Sequence, residues 1–101
     1  MEKWRPHFDL SAFKAVCGDP GRLYMTISAL KSAAALGLAR TDVAETIRSM
    51  KPSHFYKSMT SYRDHTRWQD VYHVPWDGMV LYVKFTDDVL TEFTVLSFKE
   101  R

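Results

Sequence analysis

The first half of the chain has apolar residues at helical spacing. A first short helix is predicted to begin at Asp9 or Ser11, either of which can cap it. It ends at the segment 18–21, because Pro has no N–H donor and Gly tolerates positive φ. Its apolar positions are Leu10, Phe13, Val16 and Cys17. The helix is therefore predicted to bury one face.

Two more helices follow. After a short strand at 23–25, Thr26 is predicted to cap a second helix that ends at Gly37, with Ile27, Leu30 and Ala34 on one face. Thr41 or Asp42 begins the third, and Glu45 is placed for a capping box behind Asp42. Pro52 closes it, and its apolar positions are Val43, Ile47 and Met50.

The pattern changes at Ser53, where β-branched and aromatic residues become frequent and Gly78 is the only glycine. Strands are predicted at 54–61, 68–74, 79–86 and 89–99. The connections are the loop 62–67, the turn 75–78 and a tight turn around Asp87-Asp88. Three hairpins in series make an antiparallel meander, which the helices cover on one face. The prediction is one α+β domain spanning residues 1–101.

Alternation along the strands separates a buried face from an open one. Leu81, Val83 and Phe85 form an apolar row, so Tyr82 and Lys84 belong to the open face. By the same parity Lys57 shares a face with Phe55 and Met59, and Gln69 shares one with Val71 and His73. The register that would bring these two groups beside Tyr82 is not specified by the sequence. We hypothesise a polar cluster near the centre of one sheet face.

Composition narrows the function classes. The net charge of +2 permits an anionic partner, and the basic residues of the middle segment suggest a local patch: Lys51, Lys57, Arg63 and Arg67. Cys17 is the only cysteine, which excludes an internal disulfide and a four-Cys zinc site. The three histidines at 54, 65 and 73 lack metal-ligand spacing, so no metal and no cofactor is expected. Without a signal peptide or a run of about 20 apolar residues, we expect a soluble, cytoplasmic protein without membrane contact.

Three segments resemble a known family. "FYKSMTSY", "DHTRWQDVY" and "LSFKE", with the start "MEKWRPHF", are similar to the motility quorum-sensing regulator toxins. These are toxin-antitoxin ribonucleases related in fold to the RelE-type mRNA interferases. The resemblance covers nearly the whole chain and is weakest from Trp76 to Glu92.

The resemblance implies an active site of Lys57, Gln69 and Tyr82. It implies metal-independent cleavage of mRNA, in which the 2′-hydroxyl attacks its own 3′-phosphate. Lys57 would supply positive charge, Gln69 would fix the in-line geometry, and Tyr82 would donate to the leaving oxygen. His73 or His65 is a candidate proton carrier. The last hairpin carries Asp87, Asp88 and Thr91 where family members can have a histidine.

Further residues are expected to bind the RNA: Met59, His73, Lys84, Arg63 and Tyr62. Tyr72 and Trp76 are additional stacking candidates if exposed. The implied function is a type II toxin that cuts GCU-like triplets, thereby inhibiting translation and growth. Its implied partner is a cognate antitoxin with a zinc-binding N-terminal domain and a helix-turn-helix C-terminal domain; no direct reading of DNA is expected. The alternative is a non-catalytic module of the same fold that binds RNA or protein.

Overall fold

Three helices and five antiparallel strands make up the computed structural model, which describes residues 1–101. The strands are β1 (Glu2–Lys3), β2 (Phe55–Thr60), β3 (Trp68–Trp76), β4 (Met79–Asp88) and β5 (Glu92–Glu100). The helices are α1 (Leu10–Cys17), α2 (Ile27–Ala35) and α3 (Arg40–Ser49), and a 3₁₀ turn at Pro52–His54 leads into β2. The sheet order β1-β2-β3-β4-β5 is a meander. The predicted α+β class is confirmed.

Side-chain caps set where two of the helices begin. Asp9, not Ser11, caps α1, because its carboxylate accepts from the backbone N–H of Ser11 at 2.9 Å. Thr26 caps α2 as predicted, accepting from the N–H of Ala29 at 3.1 Å.

The predicted start of α3 at Thr41 or Asp42 is wrong. The Asp42 carboxylate accepts from the backbone N–H of Ala39 at 2.8 Å, so the helix begins at Arg40. Asp42 therefore plays the part that the sequence prediction gave to Glu45.

The predicted apolar face of α2 is also wrong. Ala29 and Ala33 are buried, whereas Ile27 and Leu30 are exposed. The helix is turned about its axis relative to the prediction because of the segment before it. That segment does not form a strand but pairs with β5 through a single bridge between Met25 and Val95. This bridge brings α2 so close to β5 that small side chains must face the sheet.

One hydrophobic core lies between the helices and one face of β3, β4 and β5. Phe13 of α1 stacks on Phe85 of β4 with ring centroids 3.6 Å apart. The other large buried side chains are Ile47, Met50, Tyr72, Leu81, Val83 and Phe98. Because the helices cover this face alone, the opposite face of the sheet is left uncovered.

The turns differ from the predicted ones. β3 continues through Pro75 and Trp76, and a two-residue turn of Asp77 and Gly78, both with positive φ, connects it to β4. The tight turn predicted around Asp87-Asp88 lies further on, because β4 extends to Asp88. The Asp88 carboxylate accepts from the N–H groups of the turn residues Leu90 and Thr91, at 2.8 and 3.3 Å, which fixes the turn there.

The N-terminal segment completes the sheet, which the sequence prediction missed. β1 pairs with β2, and the chain then passes over β3, where the buried Asp70 carboxylate accepts from the N–H groups of His7 and Phe8. His7 stacks on Trp68 at 5.4 Å. A two-residue strand has too short a pattern to recognise, yet it places Glu2 at the edge of the open face.

None of the three helices has the length and apolar character needed to cross a bilayer.

Candidate active site

The open face carries its side chains in three rows that run across the strands. The first row contains His73 and its neighbours Tyr82 and Lys99; the second contains Lys57, Val71, Lys84 and Ser97; the third contains Glu2, Met59 and Gln69. Rows lie about 7 Å apart, since side chains on one face recur every second residue. The structure therefore places Lys57, Gln69 and Tyr82 on one face, with Lys57 in the middle row.

A β-bulge in β2 changes the expected pattern. Phe55 pairs with Tyr72 and Lys57 with Val71, so Tyr56 is an extra residue in the ladder. Phe55 consequently packs against the core, and the prediction that it shares a face with Lys57 is wrong. Tyr56 instead stacks on His73, with ring centroids 4.2 Å apart. The bulge thus adds an aromatic side chain to the site that strict alternation assigns to the other face.

A second bulge lies in β5. Lys84 pairs with Ser97 and Phe85 with Val95, which leaves Leu96 as the extra residue. Leu96 and Gln69 line the same cavity of about 280 Å³ on the open face. Bulges are over-represented next to active sites, because they redirect side chains. The two bulges of this sheet redirect Tyr56 and Leu96 to the same, open face.

Lys57 is held by an ion pair. Its ammonium donates to the carboxylate of Glu2, and its side chain is only 19% exposed. This hydrogen bond raises the pKa of Lys57 above its ordinary value, more than burial lowers it. The ammonium also lies 5.4 Å from the ring centroid of Tyr56. Lys57 is therefore a fixed positive charge in the middle row of the face, on the strand next to the sheet edge.

The first row holds proton-active groups with shifted pKa values. Burial raises the pKa of Tyr82, and the charge of Lys57 offsets part of that rise. Burial, with a smaller contribution from the charge of Arg101, lowers the pKa of His73. At neutral pH the row thus contains a neutral phenol, which can donate, beside a neutral imidazole, which can accept. The two rings are register neighbours with centroids 6.0 Å apart.

Two more lysines complete the electrostatics. Burial and then the charge of Lys99 lower the pKa of Lys84. Lys99, which the sequence prediction did not single out, lies 5.3 Å from the ring centroid of Tyr82. The pairing of β5 with β4 places Lys99 opposite Tyr82, and the sequence alone does not give this register. Lys84 and Lys99 make the β4–β5 side of the face favourable to anions, whereas the charge of Lys57 is balanced by Glu2.

The other predicted substrate-binding residues are distributed unevenly. Met59 is half-buried in the row of Gln69, within the cluster. Tyr62 and Arg63 lie on the exposed β2–β3 loop, and their side chains make no hydrogen bond to the cluster. His65 lies on the same loop. Of the two candidate proton carriers, only His73 belongs to the open face.

The stacking roles considered for Tyr72 and Trp76 are wrong. Tyr72 is fully buried, and Trp76 packs against the core. Both lie on the helix side of the sheet, so neither can reach a base on the open face.

A larger cavity of about 380 Å³ lies at the end of the sheet, between the N-terminal segment and the β4–β5 turn. His7, Trp68 and Asp88 line it, and Arg67 separates it from the cavity of Gln69. None of the candidate catalytic side chains lines it. The structure contains no group of three or more His, Cys, Asp or Glu side chains that could hold a metal ion.

The fold and this face define a small α+β protein whose sheet presents an ammonium, an amide and a phenol on one uncovered face. Comparison with known proteins specifies the class further. The chain belongs to the family described as "Motility quorum-sensing regulator, toxin of MqsA", whose model matches residues 5–100. It is similar to the mRNA interferase toxin MqsR of Escherichia coli (strain K12), with 42% identity over 101 residues that cover 100% of both chains. The resemblance of the sequence segments is thereby confirmed.

Proposed function

We propose that this chain is the toxin of a type II toxin-antitoxin pair, an endoribonuclease of RelE-like fold that cuts mRNA in the cytoplasm and inhibits translation and growth. Family membership and the name of the E. coli relative support the activity. The observation that carries the proposal is the arrangement of Lys57 between Gln69 and Tyr82 on the uncovered face of the sheet. All three act within one domain, residues 1–101.

The reaction we propose is an in-line transesterification without a metal. The 2′-oxygen of a ribose forms a bond to its own 3′-phosphorus, and the bond to the 5′-oxygen of the next nucleotide breaks. A 2′,3′-cyclic phosphate and a 5′-hydroxyl result. The developing negative charge on the phosphorane needs a fixed cation, and Lys57 supplies it. In an in-line displacement the nucleophile and the leaving group lie on opposite sides of phosphorus. Lys57, with Gln69 on one side and Tyr82 on the other, suits this geometry.

On the nucleophile side we place Gln69 and Glu2, which belong to the same row. The Gln69 amide makes no hydrogen bond within the protein, so it is free to orient the 2′-hydroxyl. Glu2 carries a carboxylate next to Lys57. When the substrate phosphate binds the Lys57 ammonium, it displaces the Glu2 carboxylate. The carboxylate then lies beside the reacting 2′-hydroxyl and accepts the proton of that hydroxyl.

On the leaving-group side we place Tyr82 and His73. The phenol of Tyr82, whose pKa burial raises further above neutrality, is protonated and donates to the 5′-oxygen as the bond breaks. The neutral His73 accepts and returns protons beside it. Tyr56, stacked on His73, fixes that imidazole and gives a base a surface to stack on.

The proposed substrate preference is a GCU-like triplet. The proposed partner is an antitoxin with a zinc-binding N-terminal domain and a helix-turn-helix C-terminal domain. Co-purification of the two chains, and rescue of growth when both are expressed, would support that pairing. Normal growth after induction of the folded chain alone would contradict toxicity.

The direct test is to incubate the purified chain with a defined mRNA in EDTA and map both ends of the products. We expect discrete cuts that leave a cyclic phosphate and a 5′-hydroxyl. Lys57→Ala should slow cutting about 10²- to 10³-fold, as removal of a transition-state donor does elsewhere. Gln69→Ala and Tyr82→Phe should also be slow, whereas Lys31→Ala, on exposed α2, should match the wild type. RNA that is bound but intact would instead indicate the non-catalytic module, and cutting only without EDTA would refute metal independence.

A further inference from the structure

We propose that Trp4 is a stacking platform for an RNA base that lies 3′ of the cut, next to the triplet that the open face selects. The inference rests on the proposed function, since it extends the bound RNA beyond the catalytic side chains. Trp4 is 68% exposed, whereas Trp68 and Trp76 are half-buried. An indole has a large flat face, and a nucleobase is a flat surface that fits it.

A run of aromatic side chains joins Trp4 to the proposed active site. The ring centroids of Tyr82 and His73 are 6.0 Å apart, those of His73 and Tyr56 are 4.2 Å apart, and those of Tyr56 and Trp4 are 6.5 Å apart. Tyr56 is 44% exposed, so the two outer rings both meet solvent. A single exposed apolar side chain is common on protein surfaces. Here the exposed rings instead continue the catalytic row out to the edge of the sheet.

The pairing of β1 gives this aromatic run a direction. β1 is antiparallel to β2, with Glu2 opposite Met59, so the chain after Glu2 runs toward the first row. Trp4 accordingly lies next to Tyr56 and not next to Gln69. The proposed reaction puts the leaving 5′-oxygen at the first row, so the nucleotides that follow the cut pass over this side. Trp4, at the end of the run, meets a base outside the triplet.

Contacts on both sides of Trp4 hold its backbone in place. Before it, the Lys3 ammonium lies 4.2 Å from the ring centroid of Trp68 and 2.8 Å from Nδ1 of His7. After it, the backbone N–H of His7 donates to the buried Asp70 carboxylate at 3.1 Å. A tryptophan side chain has only two χ angles, so a ring on a fixed backbone loses little conformational entropy when a base stacks on it. The platform is therefore preorganised.

The charges beside the rings favour RNA over a protein partner. The Lys57 ammonium lies 5.4 Å from the ring centroid of Tyr56. Arg5, next to Trp4 in the chain, is exposed and takes part in none of the three salt bridges. Proteins hold single-stranded RNA by stacking its bases on aromatic rings while cations follow its backbone. Because stacking uses the face of a base and not its edge, we expect any base to serve at this position.

The first experiment measures kcat/KM on two synthetic RNAs with the same cut triplet, one ending at the triplet and one with a further 3′ nucleotide. The wild type should cut the longer RNA about 5- to 150-fold better, the range for one stacked base. All four bases should confer this advantage, and an abasic nucleotide should not. Trp4→Leu, which keeps an apolar side chain without a flat ring, should lose the advantage. Trp4→Phe should keep most of it.

The matched control is Tyr24→Leu. Tyr24 is 51% exposed and lies at the opposite edge of the sheet, where its carbonyl accepts from the N–H of Val95 in β5. This variant should keep the full advantage of the longer RNA. An advantage that persists in Trp4→Leu, or that the abasic nucleotide also confers, overturns the platform. If Trp4→Leu keeps the advantage but no longer co-purifies with the antitoxin, Trp4 belongs to a protein interface instead.

A second experiment measures binding without cleavage. An RNA of 2′-O-methyl nucleotides, which has no attacking hydroxyl, is titrated into the full chain. It should quench the tryptophan fluorescence of the wild type, and much less that of Trp4→Phe, which retains only the two half-buried tryptophans. Quenching that depends on Trp4, in a chain that cuts no RNA, would keep the platform and refute the nuclease. Cutting with equal quenching in the wild type and Trp4→Phe would do the reverse.

Discussion

Glu2 is the residue whose substitution tests the proposed chemistry most directly. Replacing it by Gln keeps the size and the hydrogen-bonding oxygen but removes the charge and the ability to accept a proton. If Glu2 takes the proton from the 2′-hydroxyl, kcat should fall about 10²- to 10⁴-fold, the usual contribution of a positioned general base. Glu2→Asp, which keeps the carboxylate on a shorter side chain, should recover part of the loss.

The structure also limits the effect on binding and stability. The Glu2 side chain is 46% exposed, so its ion pair with Lys57 is worth about 0.2–1 kcal/mol. KM and the folding equilibrium should therefore change by no more than about 5-fold. Steady-state cleavage of a short fluorogenic RNA gives kcat and KM separately, and urea unfolding gives the stability.

Glu92→Gln is the matched control, because Glu92 pairs with Arg22 at 2.7 Å away from the open face. It should leave both kinetic constants unchanged. A Glu2→Gln variant with unchanged kcat and a lower KM would refute the assignment. Glu2 would then only compete with the phosphate for Lys57.

Three further predictions concern the scaffold. Tyr72→Phe should raise the free energy of unfolding by about 1 kcal/mol, because its hydroxyl is buried without a hydrogen-bond partner and burial raises its pKa to about 12; a destabilised variant in urea unfolding would contradict this. Asp70→Ala should lower that free energy by about 3 kcal/mol, since two charge-assisted bonds to the N-terminal segment are lost, and unchanged stability would mean that they contribute nothing. Because burial lowers the pKa of His73 below its unfolded value of 6.5, the unfolded chain binds a proton more readily than the folded chain does, and stability should fall as the pH falls through and below that value. His73→Asn should reduce this slope in melting curves, but His54, whose pKa burial also lowers, should keep part of it.

Much of the architecture could be predicted from local patterns. The helical spacing around Phe13 and Ile47, and the apolar alternation at Leu81, Val83 and Phe85, reflect burial on one side, which the sequence shows directly. The placement of Tyr82 and Lys84 on the open face followed from the same alternation and is confirmed. These features depend only on neighbours along the chain.

The remaining features depend on partners far away in sequence. Glu2 reaches Lys57 only because a two-residue strand pairs with β2, and no pattern can be recognised in two residues. The rotation of α2 depends on a bridge to Val95. The bulge at Tyr56 breaks the alternation that the prediction assumed throughout. Which residues share a site was therefore settled by register, and the roles of these residues stay predictions.

The pairing around Tyr56 has a consequence for comparing members of this family. Phe55 opposite Tyr72 and Lys57 opposite Val71 would follow each other in an uninterrupted ladder if Tyr56 were deleted. A β2 strand without Tyr56 keeps Phe55 in the core and Lys57 on the open face, but it loses the aromatic ring that stacks on His73. We expect relatives with a one-residue gap here to fold alike and to differ in how they grip a nucleotide.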